Sequence, residues 1–405
     1  MQALKIPQYR NYLTGAFVSE IGNQMQIVAV SWQIYEITRN PVSLGLIGVA
    51  NFLPIILFSL IGGITVDKLD RRKVLISVQS IQACLAIILF TATILHSINP
   101  LIIYAVLFLV STSQSFSIPA RQSVMPHLVP KKYFMNAVSI NTLQYQSAIM
   151  IGPAIAGFLI GGIGVHSIYL LNALSFLFFI GALISIKVPF QKHETDEVSF
   201  SISSITEGVK FVLKTPILVT TMLLDFLVTF FGSATILMPV FAQDVLGVGP
   251  KGLGLLYSAP AIGGVLAGIL VASLHSKIKN QGKVIIVSIM VYGLATVMFG
   301  LSKNFPLSIF FLILVGFGDM VSTIIRNTIR QIITPDYLRG RMSSIMRMFF
   351  QGGPQLGEIE AGFLAKAIGG PATVVVGGMG VVLITAFIAL KNKSLRNYQG
   401  KEVAV

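Results

Sequence analysis

Gly63-Ile64-Thr65-Val66-Asp67-Lys68-Leu69-Asp70-Arg71-Arg72-Lys73 carries a dense set of charges where two long apolar runs, 43–66 and 74–95, meet. Each run has roughly 20 residues, enough to cross about 30 Å of hydrocarbon as a helix. The stretch therefore reads as the turn of a helical hairpin that passes through a bilayer and comes back. A glycine one turn before Asp67 lets a neighbouring helix approach closely. Asp67 then sits at a helix end, where it can accept from another helix's amides or from an arginine. A simple basic anchor would not require the glycine and the two aspartates.

Working outward from this turn, the pattern recurs. Twelve apolar segments are predicted at 14–35, 43–66, 74–95, 100–118, 137–160, 166–186, 217–241, 252–274, 284–302, 306–325, 344–366 and 371–390. Composition agrees: 54% of the 405 residues are apolar, 11% are charged, and the mean hydropathy is +0.82. Soluble proteins carry about a quarter charged residues. The runs are continuous rather than alternating, which excludes a β-barrel. The fold class expected is an all-α membrane protein. Cys84 is the single cysteine, so no intrachain disulfide can form. The basic arm Met1 to Arg10 runs straight into apolar sequence and does not read as a cleaved signal.

The net charge of +14 would suggest nucleic acid in a soluble chain. Here its distribution explains it. Of the 29 Lys and Arg, 25 fall on one side of the predicted spans and Arg39, Lys251, Lys303 and Lys366 on the other. The positive-inside rule then places both termini in the cytoplasm, and no nucleic-acid partner is expected. The segment 191–215 divides the chain into six-helix halves, 1–190 and 216–405. Within it Ile202, Ile205, Val209 and Val212 at helical spacing predict a short amphipathic helix at the interface.

The halves repeat at an offset near 205 residues. Pro130, Ser139, Ile140 and Gly152 match Pro335, Ser344, Ile345 and Gly357, and Ala156-Gly157-Phe158-Leu159 matches Ala361-Gly362-Phe363-Leu364. Arg121 maps to Arg326 and Glu20 to Asp225. Two parallel repeats with a site between them suit a rocking, alternating-access transporter.

Acids inside spans cost about 2.5–3.5 kcal/mol each on translocon scales, so they must avoid lipid. Glu20, Asp225, Asp319, Glu358 and Glu360 are such acids. Helical spacing groups Glu20 with Asn23 and Gln24, Asp225 with Thr221 and Thr229, Asp319 with Thr323 and Arg326, and Glu358 with Gln351 and Gln355. Glu360 points away from Glu358 on a straight helix. Asn141 and Gln144 add a polar patch on span 5, and Gln114 one on span 4. These residues either join helices by hydrogen bonds or face a wetted cavity that takes protons or substrate.

The hairpin turn resembles the loop motif of the major facilitator superfamily at Gly63, Asp67, Lys68, Arg71, Arg72 and Lys73. Asp70 stands where many members have glycine, as in a branch of siderophore and drug exporters. Ser31-Trp32, Ser117-Ile118-Pro119-Ala120-Arg121, Gly152-Pro153-Ala154-Ile155-Ala156-Gly157 and Gly352-Gly353-Pro354-Gln355-Leu356-Gly357-Glu358 are similar to the same branch. The resemblance implies the major facilitator fold of two six-helix pseudo-repeats. It also implies a gating latch at Gly63, Asp67, Arg71, Arg72 and Arg121, and an exporter-type packing motif at Gly152, Pro153 and Gly157. The span 4 arginine of many proton-coupled members is missing, and the turn between spans 8 and 9 has lost its acid, so a single latch is expected.

No phosphate-binding Gly-Lys-Ser/Thr loop exists, which excludes ATP as the energy source. The reading is a secondary transporter of the inner membrane, not an enzyme, with a small amphipathic substrate such as a siderophore or drug. It needs no cofactor, is driven by a proton gradient, and works as a monomer in the lipid bilayer. Candidate coupling or cavity residues are Glu20, Asn23, Gln24, Gln114, Asn141, Gln144, Asp225, Asp319, Gln355 and Glu358. The alternatives are a translocase of lysophospholipid-like molecules and a non-transporting receptor or scaffold.

Overall fold

A computed structural model describes residues 2–186, 210–232, 234–274, 278–335 and 338–399. Among the described residues the regular structure is all helical. Twelve helices are of membrane-crossing length or continue into it. They are α1 (Pro7–Thr38), α2 (Pro41–Lys68), α3 (Arg71–Ile94), α4 (Pro100–Leu128), α5 (Phe134–Gly162), α6 (Val165–Ser185), α7 (Pro216–Phe231), α8 (Gly249–Leu274), α9 (Gln281–Leu301), α10 (Phe305–Ile333), α11 (Arg339–Ile368) and α12 (Gly370–Lys391). Short turns from Ala234 to Val245 extend α7, and α13 (Lys393–Arg396) ends the described chain.

Ten of these segments are apolar enough as well as long enough to span a bilayer. The other two, α1 and α11, have 32 and 30 residues but carry many of the polar side chains. Glu20, Asn23, Gln24 and Gln26 interrupt α1, and Gln355, Glu358 and Glu360 interrupt α11. Large apolar side chains such as Leu101, Leu383 and Leu390 are exposed. A water-soluble surface does not tolerate so many, whereas a lipid-facing one requires them.

Local sequence explains the helix starts. Pro occupies the first helical position of α1, α2, α4 and α7, where its missing N–H costs nothing. Asn40, Asp70, Asn99 and Asn304 cap the following helices by accepting from backbone N–H groups. Both Asn99 and Asn304 bond the amide three residues on, at 3.0 and 3.2 Å. The repeat is thus built into the caps, since these two asparagines stand 205 residues apart. The same offset relates Gly164 (φ +108°) to Gly369 (φ +85°), which turn the chain into α6 and α12. A side chain rarely adopts either conformation.

By their contacts the described residues form two compact units, Met1–Asp196 with Val248–Ser258, and Glu197–Gly247 with Ala259–Val405. In the first, α1 packs on α5 and α6, α2 on α4, and α3 on α4 and α6. Gly152 of α5 meets α1 so closely that a Cβ there would lie 2.6 Å from Gln24 Cβ. Gly157 faces the first turns of α8, where an added Cβ would come 2.8 Å from Gly254 Cα. In the second unit α9 packs on α10 and α12, and α7 on α11 and α12. These are the partners the first unit predicts when each helix is advanced by six.

The linker helix expected near Ile202 to Val212 lies mostly outside the described residues; residues 210–214 are helical. Two of the 25 cations assigned to the cytoplasmic side, Arg326 and Arg330, are buried within α10. The apolar run of span 10 ends near residue 325, but the helix continues to Ile333 because Asp225 gives the arginines a partner inside.

Candidate functional site

On α10, Asp319, Thr323, Arg326 and Arg330 follow one another at i, i+4, i+7 and i+11, so they form one stripe. Across from it, α7 presents Asp225 and the carbonyl of Thr221. Arg326 Nη2 lies 2.8 Å from Asp225 Oδ1 and 3.9 Å from Asp319 Oδ1. It also donates to Thr323 Oγ1 at 3.0 Å. Arg330 Nη2 lies 3.4 Å from Asp225 Oδ2 and donates to the Thr221 carbonyl at 2.7 Å, while its Nη1 donates to Asn327 Oδ1 at 3.3 Å. Thr323 Oγ1 is 3.5 Å from Asp319 Oδ1.

Burial within this cluster is uneven. Both arginine side chains are 1% exposed and Asp225 is 4% exposed, but Asp319 is 45% exposed. Among the described residues, two guanidinium groups and two carboxylates balance when both acids are ionised. An unbalanced charge in such a place would cost several kcal/mol, so the pairing is what permits the burial. Protonating Asp319 leaves one positive charge in excess beside an accessible carboxyl. The chemistry available is therefore reversible proton exchange at a site whose charge balance registers it.

The first unit holds the equivalent positions with different partners. Arg121 of α4 stacks on Phe179 of α6, 4.9 Å from the ring centroid, rather than on an acid. Phe179 in turn packs edge-on against Tyr12 at 5.6 Å. Glu20, half-buried on α1, accepts from Gln24 Nε2 at 3.1 Å. Asn23 is half-buried beside it, and Gln114, the counterpart of Asp319, is exposed. Asn141 Nδ2 contacts Met125 Sδ at 3.6 Å and its Oδ1 is buried without a hydrogen-bond partner among the described residues. Gln144 is half-buried on α5. In the second unit Gln355 Oε1 is likewise buried without such a partner, and Glu358 and Glu360 are both half-buried on α11.

The latch residues are in part differently employed. The surroundings of Gly63 and the side chain of Asp67 lie outside what the structure describes. Gly62, the neighbour of Gly63, permits a close approach, since a Cβ there would strike the Ser115 carbonyl of α4. Asp70 is the capping acid, accepting from the amides of Arg72 and Lys73 at 3.0 and 3.4 Å. Arg71 Nη1 reaches the Ser123 carbonyl at 3.4 Å. Arg72 donates from Nε to the Leu183 carbonyl at 2.7 Å and from Nη2 to the Ile184 carbonyl at 2.6 Å. It thus closes the C-terminal end of α6, where carbonyls lack helical partners.

The structure brings Asp225 and Asp319 together and adds Arg330, which the reading of the sequence left among the cytoplasmic cations. The signal was present: Arg330 continues the stripe of Asp319 and Arg326 by one more turn.

The chain is 26% identical over 375 residues to the multidrug efflux pump Tap of Mycolicibacterium fortuitum, covering 89% of this chain and 90% of that one. It is 24% identical over 400 residues to the enterobactin exporter EntS of Salmonella choleraesuis, covering 97% and 94%. Among solved structures the nucleoside transporter NupG superposes with a TM-score of 0.78 at 12% identity, over 95% of this chain and 100% of that one, a likeness of fold. The family model of transmembrane secretion effectors matches residues 2–404, and the chain belongs to that family of major facilitator superfamily transporters.

Proposed function

We propose that this transporter exports a small amphipathic molecule, a siderophore or a drug, across the inner membrane by alternating access, in exchange for protons. Its termini then lie in the cytoplasm, and it works as a monomer. The observation that carries the reading is the balanced charge cluster of α7 and α10, buried on one flank and accessible at Asp319. A static packing device needs no accessible member. The names of the similar proteins, an enterobactin exporter and a multidrug efflux pump, support the direction and the substrate class.

Each proton entering down a membrane potential of 100 mV supplies about 2.3 kcal/mol. Glu20, on the equivalent helix of the first repeat, and Glu358 are the further acids that contact substrate or protons in this reading. The test uses purified protein in vesicles acidified inside, with a catecholate siderophore and a cationic dye as probes. The proposal expects one of them to accumulate, and a protonophore to abolish the accumulation. Movement unaffected by the protonophore would refute the coupling, and no movement of either probe would refute the substrate class.

A further inference from the structure

We propose that the duties of the two acids in the cluster are divided: Asp319 exchanges the proton, and Asp225 stays ionised because Arg330 holds it so. The inference rests on the proton-coupled reading above and assigns the proton within it. Three observations carry it. Asp225 engages both guanidinium groups, one with each oxygen, at 2.8 and 3.4 Å, and is almost wholly buried. Among the described residues Asp319 has a remote ion pair at 3.9 Å and a long hydroxyl contact at 3.5 Å, and nearly half of its side chain is accessible. A carboxylate clamped between two cations resists protonation more than one with a single distant cation, and accessibility gives the latter a route for the proton.

The surroundings of Asp319 agree. From its own helix it faces Arg326 and Thr323, with Arg330 one turn further on. From α7 the charged group is Asp225, and from α9 the titratable group is Tyr292, whose hydroxyl is already donated to the Gly232 carbonyl at 3.0 Å. From α8 come Pro260, Gly263 and Gly264, packed against the backbone of α10 and bringing no charge. The repeat supplies an internal contrast. At the positions matching Asp319 and Arg330 the first unit has Gln114 and Met125, so it has lost the proton site and the clamp together while keeping Glu20 and Arg121. Arg330 is accordingly a positioning residue, acting through Asp225.

Infrared spectroscopy of the full chain in lipid, titrated between about pH 5 and pH 9, reads protonated carboxyls directly. Asp319→Asn is expected to lose the amplitude of one titrating carboxyl. Asp225→Asn alone leaves one buried positive charge in excess, so the companion variant is Arg330→Met with Asp225→Asn, which keeps the charges balanced; it is expected to retain that amplitude. Arg330→Met alone leaves one arginine for two carboxylates, and the protonated band should then persist into more alkaline buffer, with Arg330→Lys restoring the native profile. Amplitude lost in the balanced double variant, or lost in neither, would overturn the assignment. So would a native profile in Arg330→Met. These spectra need no substrate. If they come out as expected while vesicles show no proton-driven flux, the export reading fails and the assignment stands.

Discussion

Arg326 and Arg121 occupy the same position in the two repeats, yet Arg326 lies 2.8 Å from the carboxylate of Asp225 and Arg121 lies 4.9 Å above the ring of Phe179. Both cations are held inside a helix bundle, one by an opposite charge and one by a ring face. The ring is the weaker partner and has no proton to exchange. The matching positions of the two repeats thus hold their arginines by different partners, an acid in the second unit and a ring in the first.

Removing Asp225 should therefore be costly. Asp225→Ala removes the carboxylate that both buried arginines engage, which costs about 3–5 kcal/mol. Replacing Asp225, Arg326 and Arg330 together by apolar residues of similar size should recover most of that stability while abolishing coupled transport. Thermal unfolding in detergent checks both outcomes; equal losses in the two variants would contradict the account.

Arg72 should be irreplaceable by lysine. Its two bonds to the carbonyls of Leu183 and Ile184 need two diverging N–H groups. Arg72→Lys is expected to lose one of these bonds, worth about 1.5–3 kcal/mol as a charge-assisted contact. Hydrogen exchange should then quicken in the last turn of α6 and stay unchanged in α4. Unchanged exchange in α6 would remove the capping role.

The matched caps allow a symmetric test. Asn99→Ala and Asn304→Ala each delete one side-chain bond to a helix-start amide, and each should cost about 1 kcal/mol. Separated by 205 residues and lying in different units, they should add. A double variant whose loss in unfolding free energy departs from the sum by more than about 0.5 kcal/mol would speak against independent caps.

Overpacking at Gly157 should be felt at once. A Cβ there meets the Pro250 carbonyl at 2.6 Å and Gly254 Cα at 2.8 Å, both of them backbone atoms that cannot rotate away. Gly157→Ala is expected to cost about 1–3 kcal/mol, whereas Gly162→Ala, with open space around it, should be tolerated. Equal thermal stability of the two variants would show that α5 and the start of α8 separate freely.

The helices were legible because apolar length and Pro or Asn starts are local signals. The 205-residue repeat was legible in identities and reappears in the caps at Asn99 and Asn304 and the turns at Gly164 and Gly369. Asp225, Asp319 and Arg326 stood out because charges inside apolar runs demand partners. What escaped was how far a helix continues past its apolar run. Arg330 was read as a loop cation because nothing local reveals that Asp225, 105 residues earlier, waits across from it. For Arg71, Arg72 and Arg121, residue type shows that a cation needs a partner, but only packing shows that carbonyls and a ring are among those partners.

The account stands or falls on exchange of substrate for protons. Vesicles holding the purified chain and a trapped pH indicator, with no imposed gradient, are given a transported probe on one side only. The account predicts that the probe, moving down its own gradient, drives protons the opposite way, and that Asp319→Asn abolishes the pH change while exchange of labelled for unlabelled probe, measured with probe on both sides, continues. Probe movement with no pH change in the native protein would contradict it.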